Sequence, residues 1–127
     1  MAHPAVDKFG ELLICQLRDP SLEHLARLVD QQDRAPSLIE LQRKLAEQSG
    51  EVQNLIRACV VSCVDAGLHS FLFGLSEAHD QESGVAVVVD GVDIAEASDG
   101  LQGEPYSDQG WINRFSAFGE AGIASEQ

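Results

Sequence analysis

Cys59 and Cys63 stand four residues apart, and with His3, His24, His69 and His79 they are the side chains whose types could hold a soft metal or attack a carbonyl. A structural zinc site pairs one tight cysteine couple with a second matched couple, and no second couple exists here. A cysteine nucleophile needs a base and an electropositive setting. The nearest base is His69, six residues beyond Cys63, or about 9 Å along a helix and on a different face. Its surroundings are acidic, which raises a thiol's pKa. Cys15, Cys59 and Cys63 therefore read as reduced, buried and non-catalytic. The carboxylate-rich stretch from Asp90 to Glu104 invites a calcium reading, but an EF-hand loop wants oxygen ligands where Val92 and Ile94 stand and glycine where Ala95 stands. P-loop, G-x-G-x-x-G, G-x-S-x-G and H-E-x-x-H motifs are missing from the sequence. The expectation is a protein that is not an enzyme, with no cofactor and no metal.

Charge is distributed very unevenly. Seven of the eight basic side chains lie at or before Arg57, together with nine of the twenty-one acids. Between Arg57 and Arg114 there is no lysine or arginine, yet ten carboxylates occur there. Nearly all of the formal charge of −13 thus belongs to the second half. Such a half repels nucleic acid and anionic membranes and attracts a basic surface. Its candidate partner-binding residues are Asp90, Asp93, Glu96, Asp99, Glu104 and Asp108, interleaved with Tyr106 and Trp111 as aromatic anchors.

The elements that must position these groups follow from periodicity. Val6, Phe9, Leu12, Leu13 and Leu17 form one helical stripe, and Asp19-Pro20 predicts a fresh helix start with Asp19 as its cap. A third helix is expected from Pro36, with Leu38, Leu41 and Leu45 inward and Gly50 near its end. The shared Pro-Ser-Leu starts at 20 and 36 read as one capping solution used twice rather than a repeat. Residues 52–64 are apolar on nearly every side, which predicts the central buried helix, with Leu55, Ile56, Cys59, Val60, Cys63 and Val64 as the core. Gly67 predicts a break before a short helix carrying Phe71 to Leu75.

The period then changes. Val85 to Val89 and Val92 to Ala95 read as strands joined by Asp90-Gly91, a strong hairpin signal. A glycine-rich loop follows, and a last helical turn from Trp111 puts Trp111, Phe115 and Phe118 on one side. The expected fold class is α+β: an N-terminal helical bundle of four or five helices, then a β-hairpin and a short C-terminal helix. One domain of 127 residues is expected, with helices over 1–78, a hairpin, acidic loop and final helix over 84–118, and a frayed tail 119–127. No eighteen-residue apolar run and no basic-then-apolar leader is visible, which predicts a cytoplasmic chain without membrane contact.

Asp99-Gly-Leu-x-Gly-Glu104, followed by Gly110-Trp-Ile and Phe115-Ser, resembles the C-terminal end of small uncharacterised bacterial proteins. In size and charge the chain is also similar to small acidic immunity proteins that block bacterial toxins. The charge asymmetry reads as an interaction protein whose partner is a basic protein, with a toxin antagonist as its sharpest form, and it leaves oligomeric state open. The competing readings are a small-molecule-binding or enzymatic domain with a pocket between helices and hairpin, and an acidic surface that serves solubility alone.

Overall fold

The computed structural model describes residues 3–123. Helix starts at once: α1 (Pro4–Leu13) runs through a π-helical segment, Ile14–Arg18, directly into α2 (Asp19–Val29). His3 caps the start, its Nδ1 accepting from the Ala5 amide at 3.0 Å, and Pro4 fills a position where no N–H partner is needed. The break expected at Asp19-Pro20 does not occur. A proline inside a helix lacks an N–H and crowds the carbonyl four residues back. Here the preceding turn widens, and the Asp19 amide donates to the Ile14 carbonyl five residues back. Asp19 is thereby released from capping. Its carboxylate instead accepts from Ser116 Oγ at 2.6 Å and from the Ala117 amide at 2.8 Å.

A 3₁₀ turn (Pro36–Leu38) leads into α3 (Ile39–Ala46). The loop before it is fastened by buried Gln42, which accepts from the Asp33 amide and donates to the Asp33 and Leu38 carbonyls. Leu45 points inward as expected, whereas Leu41 is exposed. Gly50 does not end this helix. It opens the next, α4 (Gly50–Asp80), whose Ser49 cap accepts from the Val52 amide. The break expected at Gly67 is also absent: α4 is a single helix of 31 residues. A glycine inside a helix costs about 1 kcal/mol relative to alanine, too little to interrupt so long a run.

The core lies elsewhere than the apolar run of α4 suggests. Leu55 is 64% exposed, Cys59 and Cys63 are exposed, and Ile56, Val60 and Val64 are only half-buried. The buried cluster joins Val6, Phe9 and Ile14 to Leu68, Leu72 and Leu75 of the second half of α4, and to Ile94, Leu101, Trp111 and Ile112. The reason is coverage. The chain after residue 84 folds back over α1 and the end of α4, and the first half of α4 meets neighbours on one side only.

The hairpin turns at Asp90-Gly91 as read from the sequence, with φ of +51° and +80°, both left-handed as a type I′ turn requires. It is short: β1 (Val88–Val89) pairs antiparallel with β2 (Val92–Asp93), in the register Val88 to Asp93 and Val89 to Val92. Val85 to Val87 stay out of the strand. The second strand stops early because Asp93 caps a helical turn, α5 (Ile94–Ala97), its Oδ1 accepting from the Ala95 amide at 3.0 Å. A 3₁₀ turn (Leu101–Gly103) and α6 (Trp111–Phe115) complete an α+β fold that is mostly helical. Within the expected frayed tail, residues 119–122 are fastened: Arg18 donates to the Gly119 and Glu120 carbonyls, and Gly122 is buried with its Cα close to the Val61 side chain. Residues 124–127 of that tail lie outside the described residues.

Candidate functional site

The carboxylates singled out by charge divide into two groups. Asp93 is engaged in capping α5 and stands 3.8 Å from His79 Nδ1. Glu104 accepts from Ser98 Oγ at 3.2 Å, and its backbone carbonyl accepts from the Trp111 amide at 3.1 Å, so it closes the loop in which it sits. Asp90 pairs with Lys8 of α1 at 2.9 Å, both side chains exposed. Glu96, Asp99 and Asp108 are different. Their side chains are exposed and form no hydrogen bond or ion pair among the described residues.

The two aromatics part company as well. Trp111 is fully buried. Its indole stands edge-on to Phe9, centroids 6.3 Å apart, and lies directly over Gly10, where a Cβ would overlap the ring. It anchors the loop to the core and presents no surface to a partner. Among the described residues its Nε1 forms no hydrogen bond, although the Asp7 carboxylate is close enough for the indole to help lower its pKa. The main cause of that lowering is the hydrogen bond from Arg114, 2.7 Å from Asp7 Oδ1. Tyr106 is 38% exposed. Its hydroxyl donates to the Asp65 carbonyl at 2.9 Å and its ring tilts over His69, with the phenol pKa raised first by burial and then by the Asp65 charge.

Sequence reasoning missed the polar centre of the molecule. Arg18, at the end of the π-helical segment, is fully buried. Its guanidinium meets both oxygens of Asp65, at 2.6 and 3.3 Å, and also Ser116 Oγ and the Gly119 carbonyl. One side chain thus ties the first helix, α4 and the C-terminal segment together. A helical arginine followed by Asp-Pro carries no signal of this, because its partners lie 47 to 102 residues away.

Two further features are available to ligands. The end of α4 and the approach to the hairpin enclose an open cleft of about 610 Å³ lined by His79, Asp80, Glu82, Val85 and Asp93. Among the described residues no set of three metal-ligating side chains converges, there or elsewhere. The three thiols, expected to be buried, are exposed, Cys59 and Cys63 because the face of α4 that carries them is uncovered. By length and composition α4 is apolar enough to cross a membrane: its most hydropathic window averages 1.6 and only 17% of that window is buried.

No family model, curated protein or solved structure matches this chain.

Proposed function

We propose that this chain is a non-enzymatic interaction protein of the cytoplasm that docks a basic protein through its acidic second half, with an immunity-type toxin antagonist as the sharpest form of that role. The observation that carries the reading is that Glu96, Asp99 and Asp108 are exposed and, among the described residues, unpaired, in a stretch with no lysine or arginine between Arg57 and Arg114. Such charges gather a cationic partner from solution and set the approach rate. Tyr106, half-exposed beside Asp108, is the aromatic available for short-range contact. Asp93, Glu104 and Trp111 support the loop and do not touch the partner.

The test begins with the purified chain as immobilised bait in an extract of its native organism. A basic protein that is retained at low salt, released as salt rises and not retained by a Glu96→Gln/Asp99→Asn/Asp108→Asn variant is the expected result. Retention that ignores both salt and the substitutions contradicts the reading.

The cleft lined by His79, Asp80, Glu82 and Asp93 supports a second reading, a small cationic or polyhydroxylated ligand held between α4 and the hairpin. A ligand whose binding shifts the His79 ring resonances, and is lost in Asp93→Asn, would favour it.

A further inference from the structure

One face of α4 is left uncovered along most of its length. Val52, Leu55, Cys59, Cys63, Ala66 and Phe73 recur at helical spacing along it, about 32 Å at 1.5 Å per residue. The two charged side chains within that span, Arg57 and Asp65, are on the packed side: Asp65 binds Arg18, and Arg57 lines a groove with Leu22, Leu25 and Phe118. Ser62 and Ser70 are polar side chains on this face, and soluble monomers rarely expose an apolar stripe of this length.

The two ends of the face are complementary to each other. At the N-terminal end, Leu41 and Leu45 of α3 with Val52 and Ile56 of α4 form a shallow, mainly apolar groove with Lys44 on its edge. Lys44 makes no ion pair among the described residues. At the C-terminal end stand Phe73, 46% exposed, and one turn later Glu77 on the same face. Phe73 lies ten residues after Cys63, while Val52 and Ile56 lie eleven and seven before it. Between them the face carries small side chains, Cys59, Cys63, Ala66 and Gly67, that let two helices approach closely.

We propose that this face binds a second copy of the chain, the two α4 helices packing antiparallel about a two-fold axis at Cys63. Each Phe73 then enters the partner copy's α3–α4 groove, and each Glu77 faces the partner copy's Lys44. The contact is isologous and closes on itself. Antiparallel packing also keeps the acidic second halves at opposite ends, where their repulsion is least. A bilayer fits less well, because spanning would strip the Leu68, Leu72 and Leu75 face from its core and carry the Arg18–Asp65 pair into lipid.

Sedimentation equilibrium of the full chain, with cross-linking, tests this independently of any basic partner. The wild type should be a dimer. Leu55→Asp, a change at an exposed position that leaves the core intact, should raise the dissociation constant at least about tenfold. Lys44→Glu should weaken the dimer, and adding Glu77→Lys should restore it. In a Cys15→Ser background, a chain keeping only Cys63 should oxidise to a disulfide dimer. A chain keeping only Cys59 should not, since its two thiols would sit about 12 Å apart along the axes. A monomer at all concentrations, a Leu55→Asp dimer as tight as wild type, equal cross-linking through Cys59 and Cys63, or a wild-type monomer that co-sediments with phosphatidylcholine vesicles would each overturn the proposal.

Discussion

At the scale of single residues, the fold is held by two ion pairs of different kinds. Arg18 is out of water entirely, so its pairing with Asp65 offsets a large desolvation cost and its removal strands a carboxylate and two carbonyls. Arg18→Ala should lower unfolding stability by about 3–5 kcal/mol in urea titrations. Arg18→Met together with Asp65→Leu should recover much of that loss, because the buried charges vanish in pairs. A double variant no more stable than Arg18→Ala would show that packing rather than charge is lost. Asp7 and Arg114 form the second pair, half-exposed and therefore weaker. Arg114 holds the Asp7 carboxyl below its ordinary range. A depressed folded-state pKa gives stability that is present above the unfolded carboxylate value, about 4, and is lost as pH falls through the folded one. Asp7→Asn should thus cost up to about 1 kcal/mol at pH 7, and the difference from wild type should shrink on titration toward pH 3. A difference that stays constant across that range would mean the ion pair contributes nothing.

At the scale of elements, close approach explains both the order of the C-terminal half and what the sequence hides. Trp111 sits on the bare backbone of Gly10, so Gly10→Ala should strain α1 against α6 and destabilise by about 1–3 kcal/mol. An unchanged melting temperature would show that the indole can move aside. The hairpin turn is legible in the sequence because Asp-Gly is one of the few pairs that accept two left-handed residues in succession. Val6 and Phe9 of the α1 stripe and the inward position Leu45 are legible through helical period, whereas Leu12 and Leu17 of that expected stripe are exposed. The continuity of the helix through Pro20 is not, because proline's cost can be met by a π-helical turn, which leaves no trace in composition. The place of the core is hidden too, because an all-round apolar helix states what it dislikes, not which of its ends finds a cover. Of the candidate site, charge counting names six carboxylates alike, and only the structure separates exposed Glu96, Asp99 and Asp108 from the rest. The engagement of Asp93 and Glu104 in caps and loop closure, and the burial of Trp111, depend on partners that local sequence does not name.

At the scale of the whole molecule, the chain combines a nearly neutral helical half with an acidic half that is fastened to it by Arg18, Trp111 and the Lys8–Asp90 pair. The uncovered α4 face and the acidic second half are two surfaces of different chemistry, one apolar and one anionic. Apolar contact sets lifetime, whereas exposed charge sets encounter. The claim that the acidic half serves a basic partner is tested most directly by the association rate of the captured partner, measured against ionic strength for wild type and for Glu96→Gln/Asp99→Asn/Asp108→Asn. Exposed charges act over about 8 Å at physiological salt, so the wild-type rate should fall steeply as salt rises. The variant should associate more slowly at low salt, with a flatter dependence and little change in dissociation rate. Identical rates and identical salt slopes for the two proteins would contradict the account and leave the carboxylates as a solvated surface.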